Sequence, residues 1–305
     1  MSKAPRRAIH GVLLLDKPLG LSSNDALWKA KRALRADKAG HTGTLDPLAS
    51  GLLPICFGAA TKFSHAALDA DKAYRATLRL GQTRIGGDLE GEIVRERPVA
   101  VDRAMLDAVV ARYTGPIEQI PPMHSALKHQ GKPLYEYARA GIEIERQPRG
   151  VTIHRLDIVD WQDHSLTIDV LCSKGTYIRT LAEDIGEALG CGAHLSALRR
   201  TASGTLSVDE AVTLEQLDAL DEAGREALLR PADALLQAWP LVRLPDDEAG
   251  RFLSGLRRRV QLSDASAVRV YGPQERAFLG SAHITAGELI ADRLLSPLEV
   301  QALIA

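Results

Sequence analysis

A chain of 305 residues with 45% hydrophobic and 25% charged residues has ample material for a large core, which excludes disorder throughout. Its 38 Lys+Arg against 39 Asp+Glu leave a net charge of -1, so a uniformly basic nucleic-acid binder is excluded as well. A locally basic one is not: residues 1 to 45 hold nine Lys/Arg against three Asp, a local net of +6, while residues 209 to 226 hold seven acids against Arg225.

Val12 to Leu15 reads as a buried strand closed by the turn Asp16-Lys17-Pro18-Leu19-Gly20. Asp16 and Lys17 break the N-terminal apolar run too early for a signal peptide or a membrane span, so a cytoplasmic location and no membrane partner are expected. Ser22 with Asp25 forms a capping signature, and Leu27, Ala30 and Leu34 share one face of the helix that follows. Residues 37 to 51 read as a loop punctuated by Gly40, Gly43, Pro47 and Gly51, and Leu52 to Phe57 as a strand.

Lys72 to Leu80 alternates with period two: Tyr74, Ala76, Leu78 and Leu80 on one face, Arg75, Thr77 and Arg79 on the other. Leu166, Ile168, Val170 and Cys172 alternate in the same way, and Ile178, Leu181, Ile185 and Leu189 mark a helix stripe. Thr213 to Leu236 reads as helices. Pro240 and Pro245 suggest a boundary, followed by a short helix and the strands Val268 to Tyr271 and Ala277 to Leu279. Without a regular strand–helix rhythm the expected class is α+β, with a small β-rich domain docked at the C-terminus. Roughly sixty residues are few for an independent core.

Three cysteines with no CxxC pair predict neither a disulfide framework nor a cysteine zinc site. Cys191 and His194 have CxxH spacing but lack a second pair, and no Walker or Rossmann pattern occurs, so no metal or cofactor is expected.

Chemistry concentrates in Gly40 to Gly51, GHTGTLDPLASG. Pro47 biases Asp46 toward extended backbone, which can present its carboxylate from a glycine-rich loop; the plainer account is an Asx turn. Arg179 stands in the first turn of its helix, where the dipole disfavours a cation by about 0.3–1 kcal/mol. A carboxylate from elsewhere in the chain would explain it, and so would an i,i+4 pair with Glu183. Tyr74 on its apolar strand face is either a core residue or a platform for a nucleobase.

The stretch Gly40 to Lys62, reading GHTGTLDPLASGLLPICFGAATK, closely resembles the catalytic segment of the bacterial tRNA pseudouridine-55 synthases, the TruB family. The resemblance takes in Asp16 to Ser23, Lys72-Ala73-Tyr74, Gln119 to Lys128, Gly131 to Arg139, Cys172 to Leu181 and Leu195 to Gly204, in matching order. It implies an isomerase of one T-loop uridine, which cuts the N-glycosidic bond and rejoins the base through carbon after flipping it out of the stack. It further implies Asp46 as nucleophile, Tyr74 stacked on the uracil, and Arg179 as the cation of the catalytic set. By the same resemblance His41 fills the space the base vacates, Tyr177 and Leu198 line the nucleotide pocket, and Lys62 and Lys17 stand near the site. The implied organisation is a catalytic domain over 1–244, a mixed, mainly antiparallel sheet flanked by helices with an RNA-contacting insertion at about 119–150, and a PUA-like RNA-binding domain over 245–305. The implied partner is the T-arm of tRNA, met by a monomer.

The chain departs from the family pattern after the Tyr74 strand. Where the family commonly reads Leu-Gly-x-x-Thr-x-Thr-x-Asp-x-x-Gly, Arg84 and Gly86 replace the two threonines while Asp88 is kept. Two other readings make different predictions. An RNA-binding and folding factor would use the same surfaces without chemistry. A carboxylate glycosidase would need a second acid beside Asp46, for which Asp88 is the candidate.

Overall fold

The computed structural model describes residues 5–125 and 127–304; Lys3 of the basic N-terminal run and Ala126 of the 119–128 motif lie outside the described residues. The chain divides into two compact units. One comprises the residues up to Pro47, Gly51–Asp69 and everything from Gly204 on; the other comprises Leu48–Ser50 and Ala70–Ser203.

The second unit is built on five strands in the order Ala193–Ser203, Lys72–Leu80, Ser165–Cys172, Arg149–Gln162, Gly115–Gln119, every neighbouring pair antiparallel. Period-two alternation explains the two central strands: Ala76, Leu78 and Leu80 of one, and Leu166, Ile168, Val170 and Cys172 of the other, are buried in a common core. The helices Arg103–Tyr113 and Ile178–Ala188 close over that core through Leu106, Val109, Ile178, Leu181 and Ile185. Each such side chain contributes about 1.5–3 kcal/mol when fully withdrawn from water.

In the first unit Gly11–Lys17 pairs antiparallel with Ala49–Phe57, which pairs in turn with the short strand Ala39–His41. The expected loop over 37–51 therefore contains a strand, and the Leu52–Phe57 strand begins at Ala49. The helix Ser23–Ala33 starts as its capping residues dictate, with the Ser22 side chain accepting from the Asp25 amide at 3.1 Å. Ala26, Ala30 and Leu34 are buried, while Leu27 is half-buried.

A five-stranded sheet, followed by the helix Pro297–Ile304, is ordered Leu241–Arg243, Ala265–Tyr271, Phe278–Thr285, Glu288–Leu294, Arg258–Arg259. Its first strand lies ahead of the expected boundary at 245. The sheet has no core to itself: Phe278, Phe252 and Val270 share one buried cluster with Val12, Leu52, Cys56 and Phe63, and the Phe63 and Phe278 rings stand 5.0 Å apart. So small a sheet buries too little apolar surface alone, and its elements complete a core begun by the N-terminal strands. Cys56 belongs to this cluster, and Cys172 and Cys191 to the core of the second unit; all three are free thiols.

Candidate active site

Asp46 occupies the loop 42–48, between the strands Ala39–His41 and Ala49–Phe57, and is exposed. The backbone around it is fixed. Ser23, 2% exposed, grips Leu45 from both sides: its Oγ accepts from the Leu45 amide at 2.7 Å and donates to the Leu45 carbonyl at 2.9 Å. The Gly20 amide donates to the Pro47 carbonyl at 2.8 Å, and the Thr42 amide to the Pro54 carbonyl at 3.0 Å. The Leu45 side chain is buried beneath its neighbour. A surface carboxylate on a loop so tied is presented at low entropic cost.

Lys17 explains why the preceding turn can serve as an anchor. It is fully buried, and its Nζ donates to the carbonyls of Pro18 at 2.9 Å and Leu21 at 2.7 Å. A buried ammonium needs such partners, and satisfying them here folds the 18–21 turn against it. Lys17 is a tie within the fold rather than a surface cation. His41 ends its strand half-buried, opposite Ile55. The Lys62 ammonium is taken up by Glu299 at 2.6 Å and the Leu294 carbonyl at 3.1 Å.

The second unit carries the other expected residues. Sheet register places Tyr74 opposite Arg200 and Leu198 opposite Ala76 across the pairing of Lys72–Leu80 with Ala193–Ser203. The Tyr74 and Leu198 side chains pack on the unit's core. Arg200, which the sequence did not single out, is fully buried, and its guanidinium hydrogen-bonds the Tyr74 side chain. Burial lowers its pKa and Tyr74 opposes that shift. The available signal was the period-two spacing that puts Leu198 and Arg200 on one strand face.

Tyr177 and Arg179 open the helix Ile178–Ala188. No side chain of its own caps that helix; instead Gln119, 3% exposed, clamps Tyr177, accepting from its amide at 3.0 Å and donating to its carbonyl at 3.2 Å. Of the two partners the sequence left open for Arg179, the ion pair formed is with a carboxylate from elsewhere, Asp88. Its guanidinium lies 3.2 Å from Asp88 Oδ2, 3.4 Å from the Gly86 carbonyl and 2.6 Å from the His124 carbonyl. Asp88 thus stands as the partner of a cation, where the glycosidase reading gave it to catalysis as a second acid. A mostly buried pair of this kind persists because each charge is also hydrogen-bonded.

His194 is fully buried with Nδ1 3.2 Å from the Gln82 carbonyl, and burial lowers its pKa. Among the described residues no group of three or more His, Cys, Asp or Glu side chains is arranged to hold a metal ion, and no helix is long and apolar enough to cross a membrane. The 119–150 segment forms the hairpin Lys128–His129 with Lys132–Pro133 and the helix Leu134–Arg139. On it Lys132 lies 4.9 Å over the Tyr137 ring and Arg139 5.4 Å over Tyr135, so cations and aromatics are interleaved in space as in sequence.

Comparison with known proteins decides the family. Residues 31–178 match the N-terminal domain model of the TruB family pseudouridylate synthases, residues 179–237 the tRNA pseudouridylate synthase B C-terminal domain, and residues 240–295 the pseudouridine synthase II TruB C-terminal model. The tRNA pseudouridine synthase B of Cupriavidus pinatubonensis is 59% identical over 303 residues, 96% of each chain, and that of Cupriavidus metallidurans 60% over the same share. The chain belongs to the TruB family of pseudouridylate synthases. It is an isomerase by that membership. Among solved structures, one titled as a Cbf5-Nop10-Gar1 complex superposes with a TM-score of 0.73 at 25% identity, covering 95% of this chain and 86% of that one. The archaeal box H/ACA sRNP Nop10-Cbf5 complex gives 0.70 at 23%, which shows the shared α+β fold.

Proposed function

We propose that this chain converts uridine 55 in the T-loop of tRNA to pseudouridine, with Asp46 as the nucleophile. What supports the reading most is the Asp46 loop: an exposed carboxylate on backbone held by Ser23, Gly20 and Pro54, within the TruB-like stretch GHTGTLDPLASG. The reaction is an intramolecular transfer. The target base is first flipped from its stack. Asp46 attacks the sugar or the base, the bond from C1′ to N1 breaks, the uracil turns, C1′ bonds to C5, and the bond to Asp46 breaks to return its carboxylate. The C5 proton leaves to solvent and N1 gains one, so no external oxidant or co-substrate enters the balance.

In this reading Tyr74 stacks on the flipped uracil and assists removal of the C5 proton, its side chain anchored by Arg200. Arg179 supplies a fixed positive charge. His41 takes the place of the flipped base, Tyr177 and Leu198 line the nucleotide pocket, and Lys62 and Lys17 support the site. The basic, aromatic 128–149 segment grips the phosphates of the T-arm. The enzyme acts as a monomer without a cofactor, which light scattering and assay of the purified chain check.

A tRNA transcript tritiated at uracil C5 tests the proposal. Wild type should release about one tritium per tRNA in a uridine-55-dependent manner, and Asp46→Asn should bind the same tRNA and release none. Tight binding with no release by wild type overturns the reading in favour of an RNA-binding role without chemistry.

A further inference from the structure

The Arg179–Asp88 pair is only as well placed as the turn that delivers Asp88, and that turn rests on Glu183. Gly87 is buried with φ +75°, a left-handed conformation suited to glycine. A Cβ added there would stand 2.9 Å from the Glu183 Cδ and 3.0 Å from both of its carboxyl oxygens. The missing side chain at 87 is therefore what lets the turn settle on Glu183. Glu183 follows Arg179 by four residues in the helix Ile178–Ala188, so one helix face offers the 86–88 turn a guanidinium and, one turn on, a carboxyl.

We propose that Glu183 is a positioning residue for Arg179: packed on Gly87, its carboxyl fixes where Asp88 meets the guanidinium, and its ionisation alters that geometry by offering Arg179 a competing carboxylate. The role rests on the reading that Arg179 serves the isomerisation.

Glu183 and its immediate neighbours sit among charged and titratable groups. Arg179, Asp184 and Glu187 stand on its own helix and Asp88 on the turn. Arg112, of the helix Arg103–Tyr113, acts on Asp184. His194 comes from the strand Ala193–Ser203, with Arg79, Arg84 and Asp88 around it. The His124 ring lies 3.5 Å from the position a Cβ would take on Gly86. Burial, with Asp184, Asp88 and Glu187, pushes the Glu183 carboxyl up to about 7 against the pull of Arg179. A protonated Glu183 does not compete with Asp88; an ionised one does.

Single-turnover tritium release from C5-labelled tRNA, measured from acid to alkaline pH with enzyme in excess, tests this. The wild-type rate should contain an inflection near neutrality that is absent from Glu183→Gln, with the Kd for tRNA, measured separately by filter binding, unchanged. In a second arm, Gly87→Ala should slow release about tenfold or more, and Glu183→Ala on that background should recover part of the loss. Left-handed strain at 87 is common to both proteins, so recovery isolates the contact with Glu183. An inflection that persists unchanged in Glu183→Gln overturns the proposal, as does a Gly87→Ala defect that Glu183→Ala leaves untouched. Absence of release from wild type overturns the underlying reading and this role with it; release with superimposable profiles overturns this role alone.

Discussion

Two loops carry the acidic residues of greatest interest, and they are held by opposite means. The loop around Asp46 is tied through neutral backbone hydrogen bonds to Ser23, Gly20 and Pro54, which leaves its carboxylate exposed. The turn around Asp88 is tied through charge: Asp88 pairs with Arg179 while Gly87 lies on Glu183. Neutral ties hold a loop equally well across the pH range and at any salt, whereas charged ones respond to both. On the proposed reading, the nucleophile has the first kind of support and the cation of the catalytic set the second.

The comparison can be broken most severely at Asp46 itself. Asp46→Asn should lower tritium release at least about a thousandfold while the thermal midpoint barely moves, because an exposed side chain on a tied loop contributes little to stability. Arg179→Ala comes next. It strands Asp88 in a mostly buried position, so denaturant unfolding should show a loss of about 2–4 kcal/mol along with a large fall in kcat. Ser23→Ala removes both bonds to Leu45, and should cost about 1–3 kcal/mol by the same measurement. Its defect in kcat should not change between low and moderate salt, which distinguishes the neutral support from the charged one.

The smallest effect sharpens the contrast. The Glu183 carboxyl is raised from its ordinary 4.5 to about 7 in the folded chain. Its contribution to stability is therefore fully present below about pH 4.5 and lost as pH rises through 7. Glu183→Gln, having no charge to bury, should gain on wild type over that window and then hold a constant advantage of about 1 kcal/mol after allowance for solvent. Urea titrations at pH 5, 6, 7 and 8 check the sign.

What was legible in the sequence followed regularity. Lys72–Leu80 and Ser165–Cys172 keep an unbroken period of two, and the Ile178–Ala188 helix keeps its apolar stripe. The long strand Arg149–Gln162 was not legible because register shifts between Ile153 and Arg155 and between Ile158 and Asp160 break its alternation. Ala193–Ser203, quoted only for its family likeness, is interrupted in the same way between Leu195 and Ala197 and between Arg200 and Ala202. At the site, the Asp46 loop stood out by its motif and Arg179 by its place in the helix, while the carboxylate that Arg179 meets stayed open between Glu183 and one from elsewhere. The burial of Lys17 was not legible, since nothing in a lysine announces that backbone carbonyls will take up its charge; for Arg200 only its spacing from Leu198 hinted at it.

The three cysteines turn the two cores into their own reporters. Burial pushes the Cys56 thiol up to about 12 and Cys172 up to about 11, so neither is a nucleophile while its core stays closed. Cys56 reports one compact unit, and Cys172 and Cys191 report the other. Alkylation followed by peptide mapping thus separates the opening rates of the halves in the unmodified sequence, and would show which half loosens first when tRNA binds.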